Sequence, residues 1–141
     1  ALDAELVLLG PDQAVTSCRL GDFFPVRSEI LAGKLISEIL LPDGIQAAYE
    51  YVARSPADLP IIAAAVASWP GGRTRVALAG FGDQPRMVFD GPDPNGADLA
   101  ARDAYSAAGD QWASAGYRSA AAEVLVRRCL DQIAPKGKDK R

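Results

Sequence analysis

Short apolar or alternating runs, separated by turns rich in glycine and proline, make up most of the chain before residue 97. Alternation with a period of two is typical of half-buried strands and their hairpins. The alanines of 61–69 also favour a helix, but the Gly-Gly pair at 71–72 favours a strand that enters a hairpin. The continuous run 35–41 predicts a buried strand. The predicted strands are 2–9, 14–20, 35–41, 47–53, 61–69, 73–79 and a short one at 86–89.

The periodicity becomes helical from Ala97 onward. An alanine-rich helix is predicted over 97–108, stopped by Gly109, and a longer one over 114–133. One apolar stripe follows the longer helix, and an i,i+4 charge ladder of Glu123, Arg127 and Asp131 follows its other side. Strands first and helices last predict an α+β fold, an antiparallel sheet of three to four strands packed against a C-terminal helical layer. The stripe comprises Arg118, Ala122, Leu125, Val126, Cys129 and Ile133.

Arg118 heads this stripe, where a leucine would be the simple choice. A buried guanidinium requires a carboxylate or backbone carbonyls as acceptors. One interpretation is an arginine at the helix start that reaches out to solvent. The other is an arginine held for a partner element or an adjoining subunit. In both, something must accept the hydrogen bonds of Arg118.

Composition excludes several kinds of site. The chain has no histidine, which removes Ser-His and Cys-His nucleophile pairs and most zinc sites, so no catalytic and no metal-binding residues are predicted. A net charge of −3 gives no case for nucleic acid, and no apolar run reaches the roughly 20 residues of a membrane span. Cys18 and Cys129 favour two free thiols in a reducing cytoplasm, with a disulfide as the open alternative.

Other conspicuous residues have ordinary interpretations when taken alone. Tyr49 on a strand is most often a core residue, and adjacent phenylalanines at 23–24 are typical of a plug at a domain edge. Arg54 and Asp58 flank a proline, and their spacing is most often that of an ion pair within a loop. The Gly-x-Gly at 80–82 is too short a motif to indicate a phosphate loop.

Taken in order, four segments resemble one family. They are GKLISEILLP, AAYEYVARSPADLPIIAAAVA, RTRVALAGFG and AGYRSAAAEVLVRRCL. They look like the C-terminal domain of the FAD-binding (medium) subunit of molybdenum hydroxylases, the family of carbon monoxide dehydrogenase and xanthine dehydrogenase. The stretch LDAELVLLGP, with GDFF after it, similarly resembles the end of the preceding flavin-binding domain. The resemblance implies a domain end at 1–28, the C-terminal domain at 29–134, and a charged, disordered tail at 135–141.

The resemblance also implies a role in electron transfer. The parent enzyme would use a molybdenum-cofactor large subunit, a [2Fe-2S] small subunit and FAD, and this chain would complete the FAD site without being catalytic alone. By analogy Tyr49 would pack near the isoalloxazine ring, and Ile30 or Leu31 would contact its edge. Arg54 and Asp58 would line the loop that the electron acceptor approaches. The upstream glycine-rich pyrophosphate loops are absent, so we expect weak FAD binding or none by this chain alone.

Three departures from the family pattern bear on the acceptor site more than on the fold. Tyr51, Ser55 and Lys34 stand where the family commonly has lysine, arginine and glutamate. The chain begins at Ala1 rather than methionine, which indicates a fragment or a processed chain. The alternative function is a stand-alone interaction or dimerisation module, including a homodimer, that uses this fold without flavin.

Overall fold

The computed structural model describes residues 1–134, and the predicted charged tail at 135–141 lies outside them. The chain divides into two compact units, a smaller one over Leu2–Gly44 and a larger one from Ile45 onward that also includes Ala1. Antiparallel sheets and helices confirm the predicted α+β class. The elements are β1 (Glu5–Leu9), β2 (Val15–Arg19), α1 (Leu20–Phe23), α2 (Arg27–Ile30), β3 (Leu35–Leu40), β4 (Gln46–Val52), β5 (Ile62–Ser68), β6 (Thr74–Ala79), β7 (Arg86–Gly91), α3 (Ala97–Ala104) and α4 (Ala115–Ile133).

The smaller unit is a three-stranded antiparallel sheet in the order β2-β1-β3. The predicted hairpin of β1 and β2 is confirmed. One face of β1 is buried, since Leu6 and Leu8 each expose 2% of their surface. They pack with Phe23, which confirms that one of the paired phenylalanines fills a hydrophobic core. Phe24 is partly buried beside it. A core cluster of three buried residues is small for a unit of this size.

β3 corrects one prediction. Its strand conformation agrees with the sequence, but every residue from Leu35 to Leu40 is exposed rather than buried. Within residues 1–134 β3 pairs only with β1, so it forms an edge of the sheet, and the buried core stops at β1. Because β3 pairs with β1, the smaller compact unit extends to Gly44, past the domain boundary expected at residues 28 and 29. The assignment of these segments to two family domains stays a prediction.

The larger unit is built on a four-stranded antiparallel sheet in the order β4-β5-β6-β7. The interpretation of 61–69 as a strand is confirmed, as is its hairpin with β6. Gly72 in that hairpin has a φ of 92°, a conformation that glycine adopts without strain. Helices α3 and α4 cover one face of the sheet. The buried residues of this core are Ile62, Ala64, Val66, Val76, Leu78, Ala97, Ala101, Tyr105, Ala108, Ala122, Leu125, Val126 and Cys129.

The two helices of the larger unit follow the sequence pattern closely. Ser114 caps α4, its hydroxyl accepting from the Tyr117 N–H at 3.2 Å. The predicted stripe is confirmed, since five of its members are buried. Helix α3 ends at Ala104 rather than at residue 108, because Tyr105 leaves the helical conformation and its ring enters the core. Arg127 donates to Glu123, as the ladder predicts, and also to Asp98 of α3.

Candidate functional site

An open pocket of about 720 Å³ lies at one end of the four-stranded sheet, and its lining residues all belong to the larger unit. Its floor is the outer face of the sheet. Side chains alternate along β5, so Ile62 and Ala64 face the helices while Ala63 faces outward. Ala63 pairs with Ala79 of β6, and two methyl side chains leave space above this part of the sheet.

Tyr49 of β4 stands beside this alanine floor. Its ring is 57% exposed and stacks on Tyr51, with the ring centroids 5.7 Å apart. The ordinary interpretation of Tyr49 as a core residue is therefore wrong for this strand. The reason is that the helical layer covers only the opposite face of the sheet, the face to which Ala48 and Val52 contribute.

The loop after β4 forms the rim of the pocket and contains Arg54 and Asp58. Asp58 accepts a hydrogen bond of 3.0 Å from the Ser55 hydroxyl. The Arg54 guanidinium lies over the ring of Trp112 instead, with its Cζ 4.6 Å from the ring centroid. The expected ion pair between Arg54 and Asp58 is therefore replaced by a cation–π contact.

Arg118 forms the buried wall behind the pocket. It is 1% exposed and donates to the carbonyls of Ile61 (3.1 Å) and Gly80 (3.5 Å). It also donates to the carbonyls of Ala108 (2.9 Å) and Ala113 (3.3 Å) in the segment between the helices. Together with a bond to a carboxylate of the same segment, these four bonds join that segment to the residues that flank β5 and β6. Its acceptors thus lie within its own unit, which decides between the two interpretations of this arginine: it does not reach out to solvent.

Asp110 supplies that carboxylate partner of Arg118. Its Oδ2 accepts from Arg118 at 2.9 Å, and its Oδ1 accepts from the N–H groups of Trp112 (2.8 Å) and Ala113 (3.1 Å). The hydrogen bond from Arg118 holds the pKa of Asp110 below its ordinary 3.8. One carboxylate therefore joins the buried arginine to the short loop that carries Trp112.

Gly80 is required where β6 meets the pocket. Its φ is 97°, and a Cβ there would lie 2.6 Å from the carbonyl oxygen of Ile61. Only glycine permits this close approach of two backbone segments. The same two carbonyls, of Ile61 and Gly80, accept from Arg118, so the close approach and the arginine hold one corner of the pocket together.

The structure brings together three of the five predicted site residues. Tyr49, Arg54 and Asp58 line the pocket. Ile30 and Leu31 lie in the smaller unit, packed against its core of Leu6, Leu8 and Phe23. The flavin-binding roles given to these five residues stay predictions.

Trp112 is the site residue that sequence reasoning missed. Its side chain is 56% exposed and lines the pocket together with Arg54. A tryptophan in a short polar loop, just before the capping serine of a helix, was a signal available in the sequence. Exposed tryptophan held in a defined loop is typical of binding surfaces.

Three further properties of residues 1–134 concern metal binding, membrane insertion and thiol reactivity. No group of three or more histidine, cysteine, aspartate or glutamate side chains in residues 1–134 is arranged to hold a metal ion. Over the same residues, no helix has both the length and the apolar character that crossing a bilayer requires. Burial raises the pKa of the Cys129 thiol to about 11, so this thiol stays protonated and unreactive at neutral pH.

Solved structures of several enzymes share the fold of this chain. The chain superimposes on quinoline 2-oxidoreductase from Pseudomonas putida 86 with a TM-score of 0.70 and 21% identity. Reconstituted CO dehydrogenase from Oligotropha carboxidovorans gives 0.71 and 25%. CO dehydrogenase from Hydrogenophaga pseudoflava, in a form that lacks the Mo-pyranopterin moiety of its cofactor, gives 0.67 and 23%. Each match covers 94% of this chain and 53% of the other.

No protein-family model and no curated protein sequence matches the chain. The structural matches show that the chain has the fold of a part of CO dehydrogenase and quinoline 2-oxidoreductase chains, and that it spans about half the length of the chains it matches.

Proposed function

We propose that this chain is the C-terminal part of the flavin subunit of a molybdenum-containing hydroxylase or dehydrogenase. In this role it completes one side of an FAD site and contributes contacts to molybdenum-cofactor and [2Fe-2S] subunits in a cytoplasmic complex. The observation that carries the proposal is the pocket, which gathers Tyr49, Arg54 and Asp58 in a fold shared with such enzymes.

The pocket suits the ring of a flavin better than the rest of the cofactor. Its volume of about 720 Å³ lies in the range of small-molecule sites, roughly 300–1,000 Å³. Two exposed aromatic side chains, Tyr49 and Trp112, offer faces for a planar ring. Helix α3 begins after a loop that follows Gly91 and ends at Gly96, but no residue of this loop lines the pocket, so the loop offers no pyrophosphate site beside the ring.

Each residue has a limited task in this proposal. Tyr49 supports a face of the ring system, while Arg54 and Asp58 set the charge beside it. The flavin, when bound, supplies the redox chemistry that passes electrons from iron–sulfur clusters to an acceptor. The side chains of this chain orient the ring, limit the access of water and adjust the electrostatic potential. None of them is a catalytic residue.

Riboflavin tests this proposal because it carries the ring without the pyrophosphate. We expect weak binding, with a Kd in the range of roughly 0.1–1 mM, and similar affinity for FAD. In an amide NMR spectrum the indole signal of Trp112 should move and that of Trp69, in the β5–β6 turn, should stay.

Paired tyrosine variants sharpen the riboflavin experiment. Tyr49→Ala should weaken binding several-fold. Tyr117→Ala removes a tyrosine of comparable exposure (48% against 57%) from the start of α4, outside the pocket, and should leave binding unchanged. Riboflavin shifts that avoid the pocket, or equal effects of the two variants, would count against the proposed flavin role.

The second candidate is an interaction or dimerisation module, and the exposed strand β3 favours it. The sequence Leu35–Leu40 reads almost the same in both directions. Antiparallel pairing of two copies could set Leu35 opposite Leu40 and Ile36 opposite Ile39. Sedimentation equilibrium decides: a dimer that Ile39→Lys dissociates supports this candidate, and a monomer at high micromolar concentration rejects it.

A further inference from the structure

The Arg54 guanidinium is a cation without a carboxylate partner among residues 1–134. The nearby carboxylate of Asp58 accepts from Ser55, and the contact of Arg54 is with the face of Trp112. A cation–π contact uses the charge of a guanidinium and needs none of its N–H donors. Among residues 1–134 Arg54 donates no hydrogen bond to a protein acceptor, so its N–H groups stay available as donors at the pocket rim.

Trp112 is a firm support for this cation. Its backbone N–H is held by Asp110, and Asp110 is held in turn by the buried Arg118. The backbone that carries the exposed ring is therefore anchored, through Asp110, to an arginine buried in the unit. A pre-organised aromatic side chain loses little conformational freedom when a ligand binds.

The two features together specify a ligand. Tyr49 and Trp112 offer exposed ring surface to a planar group in an open pocket. Arg54 offers a fork of N–H donors, which matches the two oxygens of a carboxylate. Arg118, the other arginine that lines the pocket, has its N–H groups occupied by backbone carbonyls and Asp110. The positive charge free to act on a ligand is thus that of Arg54, and the carboxylate of Asp58, held by Ser55, lies on the same pocket rim.

We infer that the Arg54–Trp112 pair is a binding element for a planar aromatic carboxylate that enters this pocket. Arg54 binds the carboxylate and Trp112 positions Arg54, while the aromatic ring lies against the exposed tyrosine of the floor. This inference goes beyond the proposed function, because it assigns a ligand to the rim of the pocket and requires no flavin.

Two probes of the same shape test the inference. The first is 2-naphthoate, and the second is 2-naphthalenemethanol, which is neutral. We expect naphthoate to bind roughly tenfold more tightly, the usual size of one charge-assisted hydrogen-bonded contact. NMR titration should move the indole signal of Trp112 and leave that of Trp69 in place. Acetate, which has the charge without the ring, should produce no saturable shift.

Variants separate the two parts of the pair. Arg54→Gln should bring naphthoate to the affinity of naphthalenemethanol, while Arg128→Gln, an exposed arginine of α4, should change nothing. Trp112→Ala should weaken both probes. Equal affinity of the two probes, or a preference that survives Arg54→Gln, would overturn the inference.

The outcome is independent of the flavin experiment. Binding of naphthoate without binding of riboflavin would support the inference and count against the proposed function. Binding of riboflavin without discrimination between the two naphthalenes would support the proposed function and overturn the inference.

Discussion

The strands β3 and β5 are both mainly apolar in sequence, but their environments are opposite. Ile39 in β3 is 61% exposed, whereas Ile62 in β5 is fully buried. β5 is central in its sheet and lies under α4, while β3 is an edge strand beyond a small core. An apolar run therefore predicts a strand, but the neighbours that cover it decide whether it is buried. The larger unit closes its own core, and the smaller unit leaves apolar surface open.

The largest effect should come from removing the buried arginine of the larger unit. Arg118→Met leaves the carbonyls of Ala108 and Ile61 without their donor, and we expect a loss of about 3–5 kcal/mol in the free energy of unfolding. Both tryptophans belong to the larger unit, so urea unfolding followed by tryptophan fluorescence reports on this unit alone.

Arg128→Met is the matched control for Arg118→Met, because Arg128 lies exposed on the same helix. Its effect should stay within about 0.5 kcal/mol. Similar losses for the two variants would show that the hydrogen bonds of Arg118 do not hold the larger unit together.

A pair of isoleucine truncations tests the comparison of β3 and β5 directly. Ile62→Ala removes a fully buried side chain and should cost about 3 kcal/mol. Ile39→Ala makes the same chemical change at an exposed position and should cost less than about 0.5 kcal/mol. Urea unfolding measured by circular dichroism gives both values. A cost at Ile39 equal to that at Ile62 would mean that β3 is buried in solution.

The two cysteines allow the units to be compared without mutation. Cys18 is partly exposed in β2 of the smaller unit, and Cys129 is buried in the core of the larger one. Burial raises the pKa of Cys129 to about 11, which also suppresses its reactive thiolate. A thiol reagent at pH 8 should label Cys18 at least roughly a hundredfold faster, a difference of about 2.7 kcal/mol. Equal labelling rates of Cys18 and Cys129, measured by mass spectrometry, would show that the core of the larger unit does not protect Cys129.

The smallest effect concerns pH. The pKa of Asp110 is lowered in the folded chain by its hydrogen bond with Arg118, so its contribution to stability is present above pH 3.8 and is lost as pH falls below that value. Asp110→Asn keeps an acceptor for the N–H of Trp112 and removes the charge. The variant should show a weaker decline in stability below pH 3.8 than the native chain. Identical acid-unfolding curves for the variant and the native chain would show that Asp110 does not contribute to the pH dependence of stability.

The fold could largely be predicted, because its signals are local. Alternation, the Gly-Gly turn at 71–72 and the stripe on α4 each indicate an element without knowledge of its neighbours. The exposure of β3 could not be predicted in this way, since it depends on which elements pack over that strand. The end of α3 was also missed, because core packing of Tyr105 outweighed the helix propensity of the alanines after it.

The candidate site was harder to predict than the fold. Tyr49, Arg54 and Asp58 were chosen from a resemblance, and the structure places them in one pocket. The contact of Arg54 with Trp112 joins residues far apart in the sequence, and no local pattern indicates it. For Arg118, the sequence indicated only that acceptors were needed. Their identities depend on how strand ends and the loop between the helices meet.

The most direct test of the central claim is cofactor analysis of the native assembly. The chain is tagged in its own host, the assembly is purified, and flavin, iron and molybdenum are measured per copy of the chain. If the chain is part of such a flavin subunit, we expect about one FAD per copy, together with molybdenum and with iron in [2Fe-2S] clusters. A purified assembly that contains this chain but neither flavin nor molybdenum would contradict it.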